Sequence, residues 1–384
     1  MDRVQYARDT LKHFVKTIDG ALEDIWKARI PQIIRHPIFQ KSPKINALGE
    51  ELIQHMMEHN ARPAKRLRAS LIYYGYQLLR WDNLTKQEEK NLLYACASIE
   101  FTHTGLLIHD DYQDQDAVRR GMPTTHKFFE EYHMQHCDTW DKEHFGASMA
   151  INCGDFCLNL GNQTLLRSWF DAEVLLPALD ILLEGVGQTI FWQSFDIILE
   201  HSNAVDEQDI YDLHHGKTGI YTYLTPLLVW VTLADLEHHD QQEVIQSKLM
   251  EYAIPCGIAF QLQDDVIGLF GDEEKTGKSA YSDIKEGKKT LLMLKALELC
   301  SEHEKDVLLG LRGNPDITDS QADFVRRVVK GSGALEYSYQ KACEYAQKAQ
   351  QTIQELRAAM PNLHPASLDY LEGIAEYMAV RREA

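Results

Sequence analysis

No C-x-x-C pair occurs in this 384-residue chain, and its seven cysteines (Cys96, Cys137, Cys153, Cys157, Cys256, Cys300 and Cys343) are scattered and odd in number. A disulfide framework is therefore not expected, and the thiols read as reduced. Cys153 and Cys157 lie one helical turn apart, but two thiols without partner ligands read as packing rather than as a zinc site. Positive charge is scarce: 39 Lys and Arg stand against 58 Asp and Glu, a formal net charge of −19. Such a field disfavours nucleic acid and anionic membrane surfaces as partners. An anionic substrate would need a local basic patch or bound cations. No apolar run approaches the ~18–20 residues of a spanning helix. The opening MDRVQYARDTLKHFV is charged and lacks a signal-peptide core. A cytoplasmic protein with no membrane span is the expectation. Strand-type alternation is rare, and there is no long Pro/Gly/Ser linker, low-complexity tract or clear repeat. A P-loop is also missing. The G-K-T at Gly216 and the G-K-S at Gly277 have Tyr211 and Asp272 where that motif requires glycine.

What the chain does contain is helical periodicity. Apolar residues at i, i+3, i+4 spacing predict helices over 87–112, 146–169, 172–200, 207–235, 241–270, 286–312 and 336–358. Short polar breaks separate them. One large all-α domain over 1–384 is expected. Residues 1–45, with IPQIIRHPIF, read as an N-terminal extension with a broken helix. The polar, His-rich 130–145 reads as a loop or insertion with no metal-ligand spacing.

Chemistry concentrates at the ends of two of these helices. LLIHDDYQDQDAVRRGMPTTH (106–126) carries four aspartates within seven residues, directly after an apolar run. Asp110 and Asp114 stand four apart and share a helix face, with Asp111 beside them. Anions at a helix C-terminus oppose the macrodipole, so the cluster is destabilising unless neutralised. Mg²⁺ would reverse that sign, because it binds carboxylates together with water and substrate phosphates. On its own the pattern is a weak signal and reads more readily as a solvated helix end. A second acidic pair, Asp264 and Asp265 in AFQLQDDVIGLFGDEEKTGKS (259–279), again closes an apolar helix, with Gln261 one turn before Asp265. Basic residues that could grip a diphosphate are Lys65, Arg66 and Arg68, then Arg119 and Arg120, then Lys217, Lys278 and Lys288. Each taken alone reads as a solvated cation.

In combination, KRLR, HTGLLIHDDYQDQDAVRRGMPTTH, GKTG and FQLQDDVIGLFGDEEKTGKSAYSDIKEGKKT resemble the trans-isoprenyl diphosphate synthases, in the right order over roughly residues 45–380. The resemblance implies an all-α bundle around a central hydrophobic cavity, usually homodimeric. It implies Mg²⁺-dependent head-to-tail condensation of isopentenyl diphosphate with an allylic diphosphate. Asp110 and Asp114, supported by Asp111, would hold two Mg²⁺, and Asp264, with Asp265 close by, a third. Arg119, Lys217 and Lys278 would bind the allylic diphosphate. Lys65, Arg68, His103 and Arg120 would bind the diphosphate of isopentenyl diphosphate, with Arg66 in the same basic run. Thr218 and Gln261 would sit near the reacting carbons, and Lys288 on a closing segment. Membrane contact would be at most transient, for product release.

Three departures from the family pattern stand out. Pro63 and Ala64 replace a usual glycine pair, Gly268 replaces a third aspartate, and His103 stands where some members have glutamine. Chain length in this family depends on the residues four and five before the first aspartate, here Leu106 and Gly105. Gly105 is expected to leave space for a long tail. Thr102, Ser98, Ile99 and Phe101 lie further along, Ile99 and Phe101 being candidate later floors. The expected product is C20 geranylgeranyl diphosphate or longer. Competing readings are a class I terpene cyclase, an irregular coupling enzyme, or a non-catalytic subunit of a heteromeric synthase. A cyclase needs no second diphosphate site, and a non-catalytic subunit would be expected to lose aspartates that are all present here.

Overall fold

The computed structural model describes residues 2–34, 42–80, 84–137, 141–202, 204–234, 239–271 and 282–381. In chain order these form α1 (Arg3–Ile34), α2 (Pro43–Ala61), α3 (Leu67–Leu79), α4 (Lys86–Gln113), β1 (Val118–Arg119), β2 (Met122–Pro123), α5 (Thr125–His136), α6 (Lys142–Leu166), α7 (Ala172–His201) and α8 (Glu207–Leu213). A π-helical segment (His214–Leu224) follows, then α9 (Thr225–Leu233), α10 (His239–Phe270), α11 (Ser282–Glu286), α12 (Leu291–Leu299), α13 (Glu302–Leu311), α14 (Asp319–Gly331), α15 (Ala334–Ala359) and α16 (Pro365–Val380). The all-α expectation holds, apart from the two-residue strands of one antiparallel hairpin.

The chain divides into two compact units. Leu11–Tyr73 with Asn83–Leu175 carries the first aspartate cluster and is called the Asp110 unit. Met1–Thr10, Tyr74–Asp82 and Leu176–Ala384 form the Asp264 unit.

The Asp110 unit is organised on α4. Thr85 and Glu88 close a reciprocal capping box at its start, satisfying amides the helix cannot pair itself. Small residues line one stripe of the helix and let α6 approach closely. A Cβ placed on Gly161 would lie 2.1 Å from Thr102 Oγ1, and one on Gly105 would lie 2.6 Å from the Gly154 carbonyl oxygen. On other faces, Phe101 meets Trp26 of α1 edge-on at 5.4 Å between ring centroids. The Trp26 indole N–H donates to Asn60 at 3.2 Å, and the Asn60 amide donates to Thr104 at 2.8 Å. Within the expected N-terminal extension, Arg3–Ile34 is a continuous 32-residue helix whose Phe14, Ile18, Leu22, Ile25 and Trp26 are core residues, while 35–41, where the IPQIIRHPIF stretch continues, lie outside the described residues. The 130–145 segment is likewise mainly helical. It continues α5 to His136, with His133 buried against Phe145 at 5.0 Å.

The Asp264 unit is organised on α10, which packs on α15, α16 and the π-helical segment. Ile210, Ile258, Leu262, Leu291 and Ala346 form one buried cluster, and Leu269, Leu292, Leu308 and Val325 belong to another. The helix expected over 286–312 is instead two helices, α12 and α13, after a turn that ends α11 at Glu286. Gly287 turns the chain with φ +74°, Thr290 caps α12, and Ser301 with Glu304 forms the capping box of α13. Among the described residues α7 alone is long and apolar enough to cross a membrane by length and composition, which the sequence reading did not expect.

Candidate active site

At the end of α4 the two neighbouring aspartates part company. Asp111 is fully buried, while the Asp110 side chain retains 24% exposure. Asp114 caps the helix, its N–H donating to the Asp110 carbonyl, so the i, i+4 register of Asp110 and Asp114 is kept. Arg119 sits among the carboxylates. It contacts Asp111 directly through Nε, and its Nη2 lies 3.5 Å from both Asp110 and Asp116. These anions outweigh the cost of burial and hold the guanidinium above its ordinary value. The helix end is thus partly neutralised from within the protein. The other Asp111 oxygen has no hydrogen-bond partner; the nearest cation candidate is the buried His59 imidazole at 3.7 Å. Burial drives His59 below its normal range, so it stays neutral.

Arg119 comes from the hairpin that sequence reading missed. Its two-residue turn is Arg120 (φ +55°) and Gly121 (φ +75°), both left-handed as a tight hairpin requires. Arg120 pays for that conformation, since a side chain with Cβ disfavours it. A second overlooked residue, the buried Arg62, clamps the hairpin. It donates to the carbonyls of Arg119 (3.2 Å) and Pro123 (2.9 Å) and pairs with Glu58 at 2.8 Å.

Beside the hairpin lies a concentration of cations. Arg68 Nη1 is 3.0 Å from His103 Nε2. Burial, followed by repulsion from Arg68, Arg120, Arg119 and Arg66, pushes His103 well below the usual imidazole range. Burial and like charge from Arg119 and Arg66 lower the Arg120 guanidinium to about 10. Groups held against their own protonation in this way mark a place suited to an anion. Lys65 is half-buried just before α3. Arg66 does not belong to this set. It is 4% exposed and turned inward, to Glu100 at 3.1 Å, Asp19 at 2.9 Å and the Asn60 carbonyl at 2.6 Å. Its expected role as a substrate ligand is corrected to a structural one.

The Asp264 unit repeats the division between neighbouring aspartates. Asp264 keeps 32% side-chain exposure and Asp265 only 9%. Burial, then the Asp283 carboxylate, raises Asp265 well above the normal carboxyl range, with Asp264 adding to the effect. His214 Nε2 lies 3.6 Å away, but burial holds that imidazole down to about 4, so it offers no charge near neutrality. Thr218 donates to the Gln261 carbonyl oxygen at 2.9 Å, and the Gln261 amide donates to Asp265 at 3.1 Å. The π-helical turn, a wide geometry often found at functional sites, presents Thr218 and Lys217. Lys217 pairs with Asp196 at 2.7 Å, and Lys288 with Glu286 at 2.7 Å. Lys278 lies outside the described residues.

Asp283 is a further residue that sequence reasoning passed over. A Cβ on Gly268 would lie 2.4 Å from Asp283 Oδ2. The carboxylate of α11 therefore occupies the room that a longer residue at 268 would take. Its position within SDIKEGKKT was the available signal.

Both clusters offer hard oxygen donors, and each includes a buried carboxylate oxygen without a hydrogen-bond partner, at Asp111 and Asp265. That donor set suits Mg²⁺. Among the described residues no group of three or more His, Cys, Asp or Glu forms a complete cage. Mg²⁺ needs none, since water and substrate phosphates fill its remaining positions.

The chain-length stripe also changes. Leu106, His103 and Ile99 lie at i−4, i−7 and i−11 from Asp110 and so share its face. Gly105 and Thr102 lie on the stripe packed against α6, so Gly105 is a helix-contact residue and not open space.

Arg66→Ala would strand the buried Glu100, with an expected cost of about 3–5 kcal/mol in urea unfolding. Arg68→Ala should leave that midpoint nearly unchanged. Equal midpoints for the two variants would contradict the division between inward and site-facing arginines.

The profile of the polyprenyl synthetase family matches residues 50–328. A geranylgeranyl diphosphate synthase of Saccharolobus solfataricus is 28% identical over 83% of this chain and 87% of its own. A geranylfarnesyl diphosphate synthase of Aeropyrum pernix is 29% identical over 77% of this chain and 84% of its own. The crystal structure of a geranylgeranyl pyrophosphate synthase from Corynebacterium glutamicum, complexed with isoprenyl diphosphate and magnesium, superposes with a TM-score of 0.85 at 25% identity, covering 100% of both chains. The chain belongs to the polyprenyl synthetase family and is a prenyl-transferring enzyme.

Proposed function

We propose that this enzyme condenses isopentenyl diphosphate with an allylic diphosphate and releases diphosphate, building a C20 chain or longer. The observation that carries the reading is the set formed by the Arg68 and Arg120 cations with the neutral His103 beside them, which stands apart from the carboxylates. It provides a second anion site, which a cyclase acting on one diphosphate does not need. Asp110, Asp114 and Asp264 are the outward carboxylates and would hold Mg²⁺, three ions in all, with Asp111, Asp265 and Asp283 behind them. When bound, the metal supplies positive charge that stabilises the departing diphosphate. By resemblance to the family, Arg119, Lys217 and Lys278 are the residues assigned to the diphosphate of the allylic substrate. Arg68, His103, Arg120 and Lys65 orient isopentenyl diphosphate so that its double bond attacks the allylic carbon. His103 is neutral and donates or accepts without adding charge. Thr218 and Gln261 form a hydrogen-bonded chain to Asp265 that fixes the amide beside the reacting carbons. Proton loss, to the released diphosphate, completes the product. The apolar cavity that the family resemblance implies would keep water from quenching the allylic cation.

The names of the relatives favour C20, with C25 also among them. Homodimerisation is part of the same proposal. Leu176, Leu183, Ile190 and Ile197 recur every seven residues on α7, and Phe191 beside them is 68% exposed. Asp180, Glu184 and Asp196 interrupt the apolar run of this helix and disfavour lipid, so a second copy is the proposed cover.

Arg68→Ala should raise KM for isopentenyl diphosphate by about 10–100-fold, the worth of a charge-assisted hydrogen bond. KM for the allylic primer should hardly move, and equal effects on both would refute separate anion sites. Leu106→Phe should shorten the product, while Gly105→Phe should instead lower the melting temperature. Chain sizing and thermal melting check the pair, and a shorter product from a fully stable Gly105→Phe protein would restore the original floor. Phe191→Asp should halve the mass measured by sedimentation; a monomeric wild type would reject the dimer.

A further inference from the structure

Arg381 lies one residue beyond α16, is 3% exposed, and places a guanidinium nitrogen on Asp264 Oδ1. Four contacts anchor it there. Nη1 donates to the Met378 carbonyl at 2.6 Å, and the guanidinium sits 4.1 Å from the centre of the Phe260 ring. The Arg381 carbonyl accepts from Gln263 Nε2 at 2.5 Å, and its N–H donates to the Tyr377 carbonyl at 3.0 Å. Its Nε is buried without a hydrogen-bond partner. Nothing in the sequence reading singled this residue out.

Three carboxylates gather at the end of α10, with Asp283 and Asp264 both raising Asp265. Such a cluster is costly unless a cation stands near it. Arg381 is that cation on Asp264, the more exposed member of the pair and the one assigned to metal. The nitrogen on Oδ1 occupies a position that a metal ligand must leave open. Only this contact has to be surrendered for Asp264 to turn to a metal ion. The Phe260 face and the Met378 carbonyl would keep the guanidinium close by, where its unpartnered Nε remains available to an incoming anion.

We propose that Arg381 is a placeholder cation: it neutralises Asp264 in the metal-free enzyme and is displaced from that carboxylate when the metal–diphosphate complex binds. The inference rests on the assignment of Asp264 to metal. Arg381 is thus a positioning residue that sets metal affinity. It keeps the carboxylate cluster folded and preformed, and lowers apparent affinity by the fraction of enzyme in the Arg381-paired state. The arrangement also couples α16 to metal loading, since both the side chain and the backbone of Arg381 are tied to α10.

The test uses the full chain with Mn²⁺ and inorganic diphosphate as probes and electron paramagnetic resonance to count free metal. Arg381→Gln keeps hydrogen-bonding capacity but removes the charge. If nine-tenths of the free enzyme is Arg381-paired, the variant should bind Mn²⁺ about tenfold more tightly. Its melting temperature should fall below wild type without metal and recover when Mn²⁺ and diphosphate are saturating. Arg381→Lys should lie between the two. Unchanged or weaker metal binding in Arg381→Gln overturns the proposal. So does a melting deficit that metal fails to repair, which is the mark of a purely structural arginine. Asp264→Asn is the control. If it binds Mn²⁺ as well as wild type, the metal assignment itself has failed; if it loses metal while Arg381→Gln is unchanged, the placeholder alone is wrong.

Discussion

Carboxylates that close an apolar helix must be neutralised, and much of the local structure answers that demand. The macrodipole already places negative charge where Asp110, Asp111 and Asp114 stand. In each acidic pair the second aspartate is drawn inward and the first remains more exposed. An arginine then meets each cluster: Arg119 among Asp110, Asp111 and Asp116, and Arg381 on Asp264. Neither arginine provides the divalent charge that a diphosphate leaving group requires. The same geometry therefore tolerates the metal-free state and, in the proposed function, would be completed by metal.

The supporting structure follows from holding those charges in place. Arg62 fixes the hairpin through two carbonyls, and the hairpin fixes Arg119. The strained φ of Arg120 keeps a guanidinium among other cations, where an exposed and relaxed arginine would turn away to solvent. Close α4–α6 packing through Gly105 and Gly161 orients the Asp110 stripe away from the helix contact. In the Asp264 unit, the π-helical segment lets Thr218 reach Gln261, which in turn holds Asp265.

Periodicity was enough to identify the long helices α4, α6, α7, α10 and α15, whose apolar residues recur at helical spacing, and Thr85 and Asp141 cap the starts of α4 and α6. The two aspartate clusters were legible for a different reason: like charge packed onto a helix end has little use without a cation. Less could be read where the answer depends on a distant partner. Arg66 and Arg68 are two residues apart in KRLR and chemically identical. Glu100 and Asp19, remote in sequence, turn one inward, while His103 meets the other. Gly105 and Leu106 are adjacent on one helix, and only the position of α6 shows which of them faces a neighbouring backbone. Asp283 and Arg381 lie 18 or more positions from the carboxylates they affect, so spacing along the chain gave no sign of them. The hairpin was hidden because its strands are two residues long, too short for any alternation to register.

The central claim is that these two carboxylate clusters and the separate cation set perform metal-dependent chain elongation. The most direct test incubates the purified chain with labelled isopentenyl diphosphate and a C5, C10 or C15 allylic primer, with and without Mg²⁺, and sizes the dephosphorylated products. The account predicts a discrete C20 or longer alcohol that appears only with Mg²⁺. Folded protein that incorporates no isopentenyl diphosphate from any primer, or that does so equally well in chelator, would contradict it.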